Sequence, residues 1–160
     1  MDIILKKIIL GITFLLLILS KGSAQNNEED LDLFITAFGK EKIALTRDFM
    51  KMDPAHKQAF WSLFNEYEIG RKELAKKRWI LLNQYVAKIE SMTNDQAEEM
   101  MKEIIKHYRI TDKLIEKYYK KLKKATCPKV AAQFYQLEHY FLSGIRMEIL
   151  NLVPFINEFD

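Results

Sequence analysis

Three histidines and one cysteine are the side chains of this sequence best suited to catalysis or metal binding: His56, His107, His139 and Cys127. A nucleophile needs a nearby base, and metal-binding histidines on one helix need a spacing of about three to five residues. No two of these histidines have that spacing, and no histidine is close to Cys127 in sequence. We interpret His56 as solvated, His107 and His139 as edge residues of apolar stripes, and Cys127 as a small turn residue rather than an activated thiol.

Acidic residues and methionines are the remaining candidates for chemistry. Glu98, Glu99 and Glu103 follow a predicted helix start, where negative charge is favourable. The methionine pairs at 50/52 and 100/101 could offer thioether ligands to a soft metal, but Met52 and Met101 fall on apolar stripes and are predicted to be core. The sequence has no glycine-rich phosphate loop. These residues predict a protein that is not an enzyme and has no metal site or cofactor.

The first 24 residues are typical of a secretory signal peptide. Lys6 and Lys7 precede a run of 12 mostly apolar residues, 8–19, and small residues lead to Ala24. The run is shorter than the ~20 residues of a membrane-spanning helix, although an uncleaved anchor is the alternative. We expect cleavage after Ala24 and a periplasmic location for residues 25–160.

The remaining chain is the size of one domain, and its charge is unevenly distributed. Loss of three lysines and Asp2 with the signal peptide lowers the net charge from +3 to about +1. Residues 102–129 contain ten Lys or Arg and three Asp or Glu. Such a segment attracts acidic partners or is simply a solvated helix face; secretion disfavours nucleic acid. Cys127, as a single cysteine, is buried, free, or paired between chains.

Apolar residues that recur every three or four positions predict four helices and no strands. The first runs from about 28 to 51, with an apolar stripe that only Lys42 interrupts. That stripe contains Leu31, Ile35, Phe38, Leu45, Phe49 and Met52. Asp53 and Pro54 are a suitable cap and first residue for a second helix over 54–90.

Two arginines lie within the apolar stripe of that second helix. The stripe consists of Phe60, Phe64, Tyr67, Leu74, Leu81 and Tyr85. Arg71 and Arg78 fall at heptad-spaced positions inside it. They could extend outward to solvent, pair with acids, or line a client surface.

The third helix is predicted to begin at a capping box formed by Thr93 and Gln96. Its apolar stripe has alternating steps of four and three residues, which are typical of coiled-coil packing over about 30 residues. The stripe is Ala97, Met101, Ile104, Tyr108, Thr111, Ile115, Tyr118 and Leu122. Pro128 opens a fourth helix, which Pro154 ends. The predicted fold is therefore all-α, with long antiparallel helices in a four-helix, hairpin-like arrangement.

Three segments, in order, resemble the secreted helical proteins related to Spy and CpxP, which carry a Leu-Thr-x-x-Gln motif. Residues 42–68 are similar to a segment of the Bacteroidetes-type members, with Asp53 in place of a threonine that caps the helix. The second segment, 92–96, has methionine in place of leucine and the motif spacing. The third is 127–141. The resemblance covers about residues 31–150.

This resemblance implies ATP-independent, chaperone-like binding of unfolded envelope proteins by a homodimer. The alternative is an envelope-stress or metal-sensing adaptor that contacts a membrane-bound sensor or anti-sigma factor, because close relatives are described as sensors linked to extracytoplasmic-function sigma factors. Together with the basic segment 102–129, the resemblance suggests a set of client-binding residues. That set is Arg71, Arg78, Met100, Lys113, Lys117, Lys120 and Lys121.

Overall fold

The computed structural model describes residues 27–156, which form four long helices joined by short connections. These are α1 (Asn27–Phe49), α2 (Pro54–Val86), α3 (Asn94–Ala125) and α4 (Pro128–Leu152). A short 3-10 helix, Ile89–Ser91, precedes α3. The described residues contain no strand, so the predicted all-α fold is confirmed. The predicted signal peptide, residues 1–24, lies outside the described residues.

The predicted helix starts are confirmed in atomic detail. An Asp53 Oδ1 atom accepts a hydrogen bond from the His56 N–H at 3.1 Å, and Pro54 is the first residue of α2. At α3, the Thr93 hydroxyl accepts from the Gln96 N–H at 3.3 Å, while the Gln96 Oε1 accepts from the Thr93 N–H at 3.0 Å. Each cap satisfies backbone donors that have no partner within the helix. The second helix is continuous through Gly70 but ends at Val86, four residues before the predicted end.

The main core lies where α2, α3 and α4 meet, with Met50 at the end of α1 completing it. Aromatic rings at its centre pack edge to face: Tyr67 lies 5.1 Å from Phe134 and 5.5 Å from Tyr118, centroid to centroid. Such pairs add to the stabilisation that comes from burial alone. The buried members are Met50, Phe60, Phe64, Tyr67, Ile115, Tyr118, Leu122, Val130, Ala131, Phe134, Leu137, Phe141 and Leu142.

Helix α1 runs back along α2, and its buried face differs from the predicted one. Leu31 and Ile35 pack on Trp79 of α2 in a second, smaller apolar cluster. Further along, Lys42 and Thr46 point into the protein, whereas Phe49 is 52% exposed. The predicted stripe was wrong at Phe49. Lys42 and Thr46 occupy inward positions of α1, and a stripe drawn from apolar residues alone does not include such polar side chains.

The apolar stripe of α3 also needs correction in its first half. Met100 and His107 are buried, whereas Met101 is 41% and Tyr108 36% exposed. The buried positions, with half-buried Ile104, are spaced by 4, 3, 4, 4, 3 and 4 residues. This spacing follows the ~3.6-residue period of a straight helix rather than the 3.5-residue period of a coiled coil. The predicted side chains lie beside the buried face, and several of them line a groove.

Candidate functional site

Five ionisable side chains form a buried network that joins α1, α2 and α4. The Lys42 Nζ lies 2.7 Å from a Glu68 carboxylate oxygen and 2.7 Å from a Glu138 carboxylate oxygen. The Tyr67 hydroxyl donates to that same Glu138 oxygen at 2.5 Å, and the Arg71 guanidinium contacts both Glu68 oxygens. Two cations thus offset two carboxylates in the interior, which is the condition for tolerating buried charge.

The surroundings of this network shift its ionisation in two directions. Burial opposes ionisation of Glu68, but the neighbouring Lys42 and Arg71 outweigh it and lower the pKa of Glu68. Burial and the adjacent Glu138 raise the pKa of Tyr67 well above its ordinary value. At neutral pH, Glu68 is therefore ionised and the Tyr67 hydroxyl keeps its proton.

Perturbed ionisable groups can mark an active site, but the space beside this network is small. The adjoining cavity has a volume of about 30 Å³ and is lined partly by Phe38, Leu114 and Leu142. A cavity of this size holds a water molecule and no substrate. The network therefore serves to position helices, and the candidate binding site lies elsewhere.

A larger apolar groove of about 330 Å³ opens where the second half of α2, the first half of α3 and the end of α4 converge. Its volume lies at the lower end of the range for ligand sites. The Tyr85 hydroxyl, on α2, donates to the Pro154 carbonyl at 2.9 Å and joins the end of α2 to the segment after α4. The lining residues are Arg78, Leu81, Leu82, Tyr85, Met101, Ile104, His107, Tyr108, Ile149, Leu150, Val153, Pro154 and Phe155.

Large apolar side chains that are exposed line the groove and lie near it along the chain. Among the side chains that the structure describes, Met101, Tyr108, Leu150 and Phe155 are exposed and line the groove. Others are exposed and lie next to a lining residue or two residues from one: Ile80, Val86, Ile105, Ile110, Met147 and Ile156.

Arg78 is the one arginine or lysine in the groove lining. Burial lowers the pKa of Arg78 to about 10, and the neighbouring Arg71 adds to the effect. The guanidinium is still protonated at neutral pH. Among the side chains that the structure describes, which begin at Leu31, no carboxylate lies within ion-pair distance of it. This differs from Arg71, whose charge is matched by Glu68 at 2.8 Å.

His107 lies beside Arg78 in the groove and is neutral. Burial, together with the positive charges of Arg78, Arg146 and Lys77, lowers the pKa of His107 to about 4. Arg146 is also placed over the Tyr108 ring, with its guanidinium carbon 4.5 Å from the ring centroid, and pairs with Asp112 at 3.3 Å. The inner part of the groove therefore combines apolar walls with an excess of positive charge.

The seven predicted client-binding residues are not brought together. Arg78 lines the groove, whereas Arg71 is engaged in the buried network. Met100 is only 8% exposed, so Met101 is the methionine of α3 that faces the groove. Arg71 and Met100 are unsuited to client binding for the same physical reason, because a side chain held in the interior cannot reach a client.

The four predicted lysines all lie on the second half of α3, away from the groove. Lys120 pairs with Glu116 and Lys121 pairs with Glu66 at 2.9 Å. Lys113 and Lys117 are exposed and make no ion pair with any described residue. Of the four predicted lysines, these two have charge available to a partner.

Two charged residues of the network, Glu68 and Glu138, were not anticipated from the sequence. Each lies four residues after a core phenylalanine, Phe64 and Phe134 respectively, and so on the inward face of its helix. The sequence signal that could have indicated this network was the presence of charged residues of opposite sign on the apolar faces of three predicted helices. The groove had no comparable signal, because its wall residues have the composition of an ordinary core.

Among the side chains that the structure describes, no group of three or more His, Cys, Asp or Glu is arranged to hold a metal ion. None of the helices described is both long and apolar enough to cross a membrane. Comparison with family models, with curated proteins and with solved structures finds no match for this chain.

Proposed function

We propose that this protein is an ATP-independent, chaperone-like binder that holds apolar segments of unfolded envelope proteins in the groove. The observation that supports this proposal most strongly is the groove of about 330 Å³, together with the exposed apolar side chains around it. Monomeric soluble proteins rarely expose large apolar areas, and such areas are typical of interaction sites. The predicted signal peptide and the resemblance to Spy and CpxP are consistent with a periplasmic location and with a homodimer.

The composition of the groove suits varied clients. Met101 is flexible and polarisable, and methionines at binding surfaces adapt to different apolar shapes. Exposed Lys113 and Lys117 attract acidic segments of a client over a longer range, an effect that salt weakens. Weak contacts of this kind permit release without nucleotide hydrolysis.

Light scattering of a chemically denatured enzyme, diluted into buffer with the protein and without ATP, tests the proposal. Suppression of aggregation near equal molarity is expected. Leu150→Gln makes the groove more polar and should reduce suppression. Leu33→Gln is the matched control, since Leu33 is 69% exposed on α1 and does not line the groove.

Two results would count against this function. Wild-type protein without effect on scattering would favour the alternative, a regulatory adaptor for one membrane-bound partner. Equal loss in the two leucine variants would place client binding outside the groove.

Charge reversal at Lys113 and Lys117 should slow capture of an acidic client at low salt only.

A further inference from the structure

The inner end of the groove has a feature that binding of apolar segments does not require. Arg78 is a protonated lining residue of a groove whose other described lining residues are mostly apolar, and no described carboxylate pairs with it. Arg78 is half-buried. A cation that is partly withdrawn from water without a partner is unfavourable for folding, so an apolar side chain at this position would be the more stable choice. The neighbouring charges do not help, because Arg71, Arg146 and Lys77 are all positive.

Both the shape and the polarity of the groove limit what could compensate Arg78. Its volume of about 330 Å³ is at the lower end of the range for small-ligand sites, which suits a medium-length acyl chain. A ligand with a single anionic end and an apolar remainder matches both the charge of Arg78 and the apolar walls.

From this combination we propose that the groove binds a medium-chain fatty acid, with the carboxylate on Arg78 and the acyl chain along the walls formed by Leu81, Ile104 and Ile149. The guanidinium can form two parallel hydrogen bonds to one carboxylate. The neutral His107 ring lies beside it and has one N–H donor to offer. This site would exist whether or not the protein binds unfolded clients.

Isothermal titration calorimetry of the purified protein with decanoate tests the proposal without any client present. Decanol has the same chain length and no charge, and decyltrimethylammonium has the opposite charge. We expect decanoate to bind one molecule per chain, decanol to bind at least ~10-fold more weakly, and the cation not to bind. Equal binding of decanoate and decanol, or no binding of decanoate, would overturn the proposal.

Arg78→Met should lose ~10- to 100-fold in decanoate affinity while keeping its weak affinity for decanol. Arg109→Met removes the same charge from an exposed position of α3 outside the groove and should leave decanoate affinity unchanged. Thermal unfolding provides a second readout. Because the variant lacks an uncompensated cation, the melting temperature of Arg78→Met should be equal to that of the wild type or higher. Unchanged decanoate affinity in this variant, or a lowered melting temperature, would mean that Arg78 has a structural role instead.

The chain's own acidic end is a competing occupant. Residues 157–160 include Glu158 and Asp160 and follow Phe155, which lines the groove. A variant that ends at Ile156 should bind decanoate as the full chain does. Binding that appears only in the shortened variant would overturn the proposal in favour of an internal ligand.

Discussion

Lys42 shows how one residue determines where a whole helix lies. Its ammonium group joins α1 to carboxylates on α2 and α4, and its nitrogen lies 4.9 Å from the centroid of the Tyr67 ring. Apolar packing is permissive about register, whereas an ion pair with two fixed carboxylates permits one position. We infer that the network defines how α1 sits on the rest of the molecule.

Substituting Lys42 by methionine should destabilise the protein strongly. The change leaves Glu68 and Glu138 buried without their shared cation, and breaking a buried pair in this way costs about 3–5 kcal/mol. Chemical denaturation gives the free energy of unfolding. Lys40→Met is the control, because Lys40 is exposed two residues away and should change stability by about 0.5 kcal/mol or less. Similar stability in the two variants would contradict a network that holds α1.

His107 should make stability depend on pH below neutrality. Its folded-state pKa of about 4 lies below the ordinary value of 6.5, so the unfolded chain takes up a proton first as pH falls. Stability is therefore retained above about pH 6.5 and declines from there toward pH 4. The loss is on the order of 3 kcal/mol, because a difference of one pKa unit corresponds to about 1.4 kcal/mol.

Comparing His107→Gln with wild type isolates this contribution from that of carboxylates such as Glu68. The variant should lose less stability than wild type between pH 6.5 and 4, as measured by urea denaturation at each pH. If wild type and His107→Gln run parallel across this range, His107 is not held neutral by the fold.

At the scale of the helices, the caps and breaks explain why the boundaries were predictable. Capping residues act through hydrogen bonds to their own next turn, so sequence alone contains the information. Asp53, Thr93 and Pro128 all begin or precede a helix as expected. The end of α2 was not predictable in the same way, because no glycine or proline lies between Val86 and the Thr93 cap of α3.

Replacing Thr93 by alanine should cost about 1 kcal/mol of unfolding free energy, because the Gln96 N–H loses its acceptor. Combining it with Gln96→Ala should cost less than the sum of the single changes, since the two side chains form one reciprocal cap. Ser62→Ala, in an exposed mid-helix position of α2, should be nearly neutral. Strict additivity in the double variant would argue against the reciprocal arrangement.

The faces of the helices were less predictable than their ends. An apolar count assigned Phe49 and Tyr108 to the interior, although both are exposed, and passed over Glu68 and Glu138. The count weighs side chains one at a time, whereas burial of Lys42 depends on partners from two other helices. Charged residues on apolar faces can be located from sequence, but their pairing requires the tertiary arrangement.

At the scale of the whole molecule, the two ends differ in how they use their apolar residues. Toward Phe60 and Leu122 the side chains are fully enclosed, while toward Tyr85 and Phe155 they leave the groove open. A sequence with apolar residues at helical spacing predicts both ends equally well. The groove depends on how three helices and the segment after α4 are placed relative to one another, which the spacing of apolar residues does not specify.

The central claim, that clients bind at the open end, is tested most directly by site-specific crosslinking. A photoreactive phenylalanine analogue replaces Tyr108 in the groove or, as the control, Tyr135 on α4; these tyrosines are 36% and 39% exposed. Irradiation with a denatured, labelled enzyme should give crosslinked product from position 108 and little from position 135. Equal crosslinking at the two positions, or product mainly from position 135, would contradict the groove as the client-binding site.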